Sequence, residues 1–201
     1  MMKSVIIAVL ISLAFVACKQ TTEPETVETK EFENISEIIG LHDDVTLLSS
    51  PSESFLAAGD LAPDFLVTTD DNVEFSLSDL RGKVVYIEFW RTRCSFCVQS
   101  MPNLVNNAES IEDEDFIVIA ISTDVMDRVN KSNVSDFIDD YSMTDFVNIY
   151  DGSSSETSIA YQYGIRGTPT GYLIDKEGRI VKSLHPASSN FTQSIQSELD
   201  K

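Results

Sequence analysis

The chain has 201 residues, 42% of them hydrophobic, with 8 Gly and 6 Pro, which excludes a collagen-like or wholly disordered polymer and fits one domain of ordinary size with a leader and a tail. Fourteen Lys and Arg stand against 33 Asp and Glu, a formal net charge of −19. A phosphate backbone is repelled by that charge, so no nucleic-acid partner is expected; the acid reads first as a solvated surface, with a basic redox partner as the alternative.

Val5 to Val16 is apolar apart from Ser12 and follows a single Lys3. A membrane-spanning helix needs about 20 apolar residues, whereas the core of a signal peptide needs roughly 7 to 15. The stretch ends Phe15-Val16-Ala17-Cys18, and a small residue directly before a cysteine resembles a bacterial lipobox, although Phe15 stands where Leu is usual. Residues 1–17 are therefore expected to be a lipoprotein signal peptide and Cys18 the lipid attachment site, anchored by burial of acyl methylenes at about 0.8 kcal/mol each. An uncleaved anchor is the alternative, and both readings put the remaining chain outside the cytoplasm, in the cell envelope.

Residues 18–37 are rich in Thr and Glu, the composition of a solvated tether. Residues 38–59 show no clear period and suggest a loosely docked extension or one short helix near Ser54 to Ala58. The domain proper is expected over 60–201. Phe65 to Val67 and Val73 to Phe75, separated by Asp70-Asp71-Asn72, read as a hairpin. Ser78 is a candidate N-cap for a turn through Leu80, and Val84 to Trp90 is nearly all strand-formers, as a strand buried on both faces should be.

A helix from about Cys94 to Ser110 and a strand over Phe116 to Ile121 complete a parallel unit. Helices are then expected over 127–141 and 156–163 and from 188 to 199, a strand near Phe146 to Tyr150, and a hairpin of Thr170 to Asp175 with Arg179 to Leu184 turning at Lys176-Glu177-Gly178. The predicted fold class is α/β, a central mixed sheet flanked by helices on both faces.

Cys94-Ser95-Phe96-Cys97 follows the apolar strand and opens the helix, the context that makes a Cys-x-x-Cys a redox motif. At a helix N-terminus the unpaired N–H groups and the dipole stabilise an anion, so Cys94 is the expected nucleophile, with its thiol below the free value of about 8.5. Cys97, one turn on, is the expected resolving thiol, and the pair the redox-active disulfide. Half of a structural zinc site is the competing reading, but it needs two more ligands. Cys18 is expected to carry lipid, and His42 and His185 lie far apart and read as ordinary surface or loop residues. No metal and no organic cofactor are expected.

The segment Phe89-Trp90-Arg91-Thr92-Arg93-Cys94-Ser95-Phe96-Cys97 resembles the active site of thioredoxin-like thiol-disulfide oxidoreductases, and within them the TlpA/ResA-like subgroup. Ala62-Pro63-Asp64-Phe65, Leu77-Ser78-Asp79-Leu80-Arg81-Gly82-Lys83, Met101-Pro102 and Gly167-Thr168-Pro169-Thr170 agree in order, over about residues 60 to 201. The resemblance implies a thioredoxin-like fold, a cis peptide bond at Pro169 facing the cysteines, and substrate binding at Thr168 and Pro169, with Trp90 and Arg93 beside them. It also implies that Glu88 stands where thioredoxins carry a buried Asp that assists proton transfer at the resolving cysteine. An unpaired buried carboxylate is costly, and a desolvated Glu titrates nearer neutrality; the alternative is a Glu whose head reaches solvent or a surface cation.

Departures accompany the match. Arg93 stands where Trp is frequent, and with Arg91 it should raise the local positive potential and favour a thiolate or an acidic substrate face. Ser100 replaces a Glu found in some members, and Ser95-Phe96 differs from the Gly-Pro of thioredoxin. The expected function is thiol-disulfide exchange on a disulfide-containing exported protein, as a reductant. The resemblance implies electrons from a membrane thiol donor and apocytochrome c maturation as one destination. The alternatives are a disulfide oxidase or isomerase, a thiol peroxidase using Thr92, and a redox-inactive surface binding module.

Overall fold

The computed structural model describes residues 35–49, 56–69, 72–153 and 156–201. The expected signal peptide 1–17, Cys18 and most of the tether therefore lie outside the described residues, as do Ser54 and Phe55. Among the described residues no helix is long and apolar enough to cross a membrane.

Among the described residues nine strands fall into two sheets. The first strands are β1 (Gly40–His42), β2 (Asp44–Leu47), β3 (Phe65–Thr68), β4 (Glu74–Ser76) and β5 (Val84–Trp90). After α1 (Ser95–Glu109) come β6 (Phe116–Ser122), α2 (Lys131–Asp140), β7 (Val147–Tyr150), α3 (Ile159–Gln162), β8 (Thr170–Ile174), β9 (Ile180–Ser183) and α4 (Phe191–Leu199). The central sheet runs β1-β7-β6-β5-β8-β9. Its first four strands are parallel, β8 pairs antiparallel with β5, and β9 pairs antiparallel with β8. A small antiparallel sheet, β2-β3-β4, stands apart from it.

All seven residues of β5 are buried, because β5 lies between β6 and β8 and both of its faces are covered. With a period of two, Val84, Tyr86, Glu88 and Trp90 share one face and Val85, Ile87 and Phe89 the other. The first face packs on Met101 and Leu104 of α1, Val134 of α2 and Phe191 and Ile195 of α4. The second packs on Phe65, Val67 and Phe75 of the small sheet and Ile159 of α3. Helices thus flank both faces as predicted, with the small sheet sharing the second.

Several local expectations shift. Residues 38–59 supply β1 and β2 rather than a loose extension, and Leu56 to Ala58 are not helical. Three-residue β1 extends the parallel array beyond β7, a pairing too short to show as a period. It buries His42, whose Nε2 lies 2.9 Å from the Ile38 carbonyl, so His42 is not a surface residue.

The cap of the turn at Leu77–Leu80 is Ser76, not Ser78: its hydroxyl accepts from the Asp79 N–H while Asp79 accepts from the Ser76 N–H. The helix expected over 127–141 is divided into a 3-10 turn at Asp124–Asp127 and α2, because Arg128 is left-handed (φ 57°) and Asn130 caps the second piece. The helix expected over 156–163 is confined to Ile159–Gln162 by the Ser158 cap, and the last helix begins at Phe191.

Candidate active site

The parallel strands end together, and connections there are where open α/β sheets place their chemistry. Strand β5 stops at Trp90, the chain turns through Arg91–Arg93, and Cys94 becomes the N-cap of α1. Its sulfur accepts the Cys97 N–H at 3.2 Å, which satisfies one of the orphan donors of the first helical turn. Cys94 and Cys97 are joined as a disulfide with Cα atoms 5.2 Å apart. Cys97 has no exposed surface, whereas Cys94 is partly exposed. An incoming sulfur can therefore reach Cys94 alone.

Thr168 and Pro169 face this pair. Their peptide bond is cis, and the Thr168 carbonyl oxygen lies 3.3 Å from Cys94 Sγ. The side chain of Thr168 accepts from Arg91 Nε at 3.2 Å, and Arg91 Nη1 reaches both carboxylate oxygens of Asp127 at 3.2 Å. One guanidinium thus ties the turn before Cys94 to both neighbouring loops.

Beneath it, Asp124 has no exposed surface. It accepts the Thr92 N–H at 2.9 Å, the Thr92 hydroxyl at 2.6 Å and the Ser122 hydroxyl at 2.8 Å. The Thr92 hydroxyl proton is thereby committed to Asp124, which weakens the peroxidase alternative.

Glu88 is fully buried, so the alternative of a head in solvent is overturned. Its Oε2 lies 2.5 Å from the Tyr86 hydroxyl, which lies 2.8 Å from the Leu184 carbonyl oxygen. A tyrosine has one proton and a carbonyl has none, so satisfying both contacts needs a second proton, on Glu88. Burial pushes Glu88 from 4.5 to about 8, against a smaller opposing effect of the Tyr86 bond.

At neutral pH Glu88 is accordingly for the most part a neutral acid donating to Tyr86, which donates to Leu184, with a minor ionised fraction. Burial, and then the nearby Glu88, push the Tyr86 phenol well above its usual value. Glu88 Oε1 has no hydrogen-bond partner among the described residues, a defect that costs less for an acid than for a carboxylate. Glu88 lies on the β5 face that packs against Cys97 and α1.

The other expected site residues separate by burial. Trp90 has no exposed surface and stacks at 4.8 Å on Phe137. It cannot touch substrate, and it supports the active-site turn from below. Arg93 is exposed, its Nη1 3.4 Å from the Asp127 carbonyl. His185 is exposed and accepts the Ala187 N–H at 3.1 Å. Among the described residues no group of three or more His, Cys, Asp and Glu is placed to hold a metal ion.

Sequence reasoning passes over Tyr86, Asp124, Asp127 and Gly171. Only Tyr86 carries a local signal, since it sits two residues before Glu88 and shares its face.

A cysteine pair opening the helix after the central strand, against a cis-proline loop on this sheet order, defines a thioredoxin-like thiol-disulfide oxidoreductase. Sequence comparison supplies the family: the chain belongs to the AhpC/TSA family, whose pattern matches residues 58–183. It is 32% identical over 126 residues to the thiol-disulfide oxidoreductase ResA of Bacillus thuringiensis, covering 63% of this chain and 68% of that protein.

The thioredoxin-like protein YneN of Bacillus subtilis is 30% identical over 136 residues, covering 68% and 75%. The crystal structure of the thioredoxin domain of a thiol-disulfide oxidoreductase from Bacteroides vulgatus superposes with a TM-score of 0.58 at 25% identity, over 71% of this chain and 97% of that one. A thiol:disulfide interchange protein from Bacteroides sp. matches in fold with a TM-score of 0.59 at 24% identity, over 73% and 92%. The predicted TlpA/ResA-like resemblance therefore holds.

Proposed function

We propose that this oxidoreductase works as a reductant of disulfides in exported proteins, held in the cell envelope by a lipid on Cys18 after removal of residues 1–17. Residues 18–37 hold the domain off the membrane, and a membrane thiol donor supplies electrons. The Cys94 thiolate attacks one sulfur of the substrate disulfide; that S–S bond breaks, a mixed disulfide forms, and the first substrate thiolate leaves. The ionised fraction that Glu88 keeps near neutrality takes the Cys97 proton, and Cys97 attacks the Cys94 sulfur, releasing the second substrate thiolate. Two electrons pass to the substrate, its thiolates take up protons, and the Cys94–Cys97 bond is remade. Thr168 and Pro169 shape the face on which the substrate lies, and Arg93 borders it.

The reductant direction rests on the surroundings of Cys94. Among the described residues its sulfur takes one N–H donor, from Cys97, and faces the Thr168 carbonyl oxygen at 3.3 Å. A strong oxidant draws its power from a thiolate held by several donors. A carbonyl oxygen at that distance instead accepts from the neutral thiol.

The test is the reduction potential of the Cys94/Cys97 couple, by equilibration in dithiothreitol or glutathione buffers and trapping of free thiols. A value more negative than about −230 mV supports a reductant. A value near about −120 mV overturns it in favour of an oxidase or isomerase, and failure to form a reversible disulfide leaves the redox-inactive binding module.

A further inference from the structure

Beside the cysteine pair lies a groove of about 140 Å³ lined by Arg91, Met126, Ile165, Arg166 and Thr168 among others. Thr168 belongs to both places, since its carbonyl also faces Cys94 Sγ at 3.3 Å. An extended peptide advances about 3.3 Å per residue. A segment crossing the groove therefore ends within about three residues of the attacked sulfur. Met126 is 59% exposed and Phe96 is 69% exposed, so apolar contacts are offered both in the groove and within the cysteine motif itself.

The charge on this face is opposite to that of the chain. Four of the six arginines, Arg91, Arg93, Arg128 and Arg166, fall in the three segments that build it, 91–97, 123–128 and 160–169, with two acids, Asp124 and Asp127; a third, the buried Asp151, follows β7 and accepts the N–H of the groove-lining Ala160 at 3.1 Å. Asp124 is buried under Thr92 and Asp127 is paired with Arg91. Arg93, Arg128 and Arg166 are exposed. The remainder of the chain carries the net −19 and more. At physiological salt, charges more than about 8 Å apart are screened. A docked segment thus meets exposed arginines, whereas Asp124 and Asp151 are buried.

We propose that this groove is a charge-selective subsite, taking an Asp- or Glu-bearing, partly apolar segment of the substrate polypeptide beside the disulfide that Cys94 attacks. The inference rests on the thiol-exchange reading above and adds the chemical class of its substrate. The exchange is the one already balanced, two electrons passing from the cysteine pair to the substrate disulfide.

The test uses the full chain, reduced beforehand, and three disulfide-linked peptides that differ only in acidic, neutral or basic residues flanking the cysteine. Single-turnover rates are compared as the ratio of acidic to basic peptide, which cancels effects common to both. A ratio of about fivefold or more is expected at low salt, falling toward one as salt rises. Arg166→Glu should abolish or invert it, Arg93→Ala should reduce it, and Arg179→Ala, at the far end of the sheet, should leave it unchanged. Equal rates, a faster basic peptide, or a ratio that neither Arg166→Glu nor Arg93→Ala alters would overturn the subsite. Failure to reduce even the neutral peptide would remove the exchange reading itself, and the subsite with it.

Discussion

Glu88 on β5 is paired with Gly171 on β8, and the missing side chain of Gly171 is the space in which the buried acid cluster sits. A Cβ built on Gly171 would overlap the Tyr86 hydroxyl and lie 2.5 Å from the Leu184 oxygen and 2.6 Å from Glu88 Oε2. Glycine is required here by volume rather than by backbone angle. All three obstructing atoms are oxygens of the hydrogen-bond chain, so none yields without breaking it.

Gly171→Ala should therefore destabilise the fold by about 1 to 3 kcal/mol, the usual cost of overpacking a filled interior. Urea unfolding of the oxidised protein measures this. A loss below about 0.5 kcal/mol, the range of an ordinary surface change, would mean that the cluster relaxes freely.

Glu88 makes stability depend on pH in a definite direction. It titrates near 4.5 in the unfolded chain and at about 8 in the fold, raised by burial. Between those values the folded state holds a proton that the unfolded state has lost. The contribution of the neutral acid is thus complete below about pH 4.5 and lost as pH rises through about 8. Glutamine is neutral throughout, so Glu88→Gln should unfold at a higher temperature than the parent at pH 8 and at nearly the same temperature at pH 4. Melting curves across that range check it, and a difference independent of pH would refute the assignment. In the proposed exchange the same variant should also slow release of the mixed disulfide, because the ionised fraction of Glu88 that takes the Cys97 proton is lost.

Asp124 anchors the turn before Cys94 through three donors, two of them on Thr92. Asp124→Ala strands the Thr92 N–H and the Ser122 hydroxyl, so a loss of about 2 to 4 kcal/mol is expected. Asp124→Asn keeps one acceptor oxygen and should fall between the two. Denaturation of the three proteins orders them. Equal stabilities would show that water replaces the carboxylate without cost.

Most of the element order was legible because it rests on short-range signals. The run Val84 to Trp90 has the composition of a doubly covered strand, and the cysteine pair directly after it places the chemistry. Where a cap decided an end, as at Ser76 or Asn130, neighbouring polar residues offered equally good candidates, and the choice depended on which hydroxyl or amide met an N–H. Strand β1 was invisible because three residues carry no period, and its stability comes from pairing with β7 more than a hundred residues later.

By itself, then, the sequence determined the α/β class, the thiol chemistry at Cys94 and Cys97, the proline opposite them and an anomalous acid at Glu88. The proline's place is what the family resemblance implies; the others are properties of residue type, spacing and periodicity, which act over one strand or one helical turn. Tertiary structure alone decided that Cys97 is sealed while Cys94 is reachable, that Trp90 is a support rather than a contact, and that burial beside Tyr86, Gly171 and the Leu184 carbonyl raises Glu88. Asp124 and Asp127 belong with these, because their partners lie some thirty residues upstream. Burial and hydrogen-bond satisfaction are sums over neighbours from distant parts of the chain, and no local pattern encodes them.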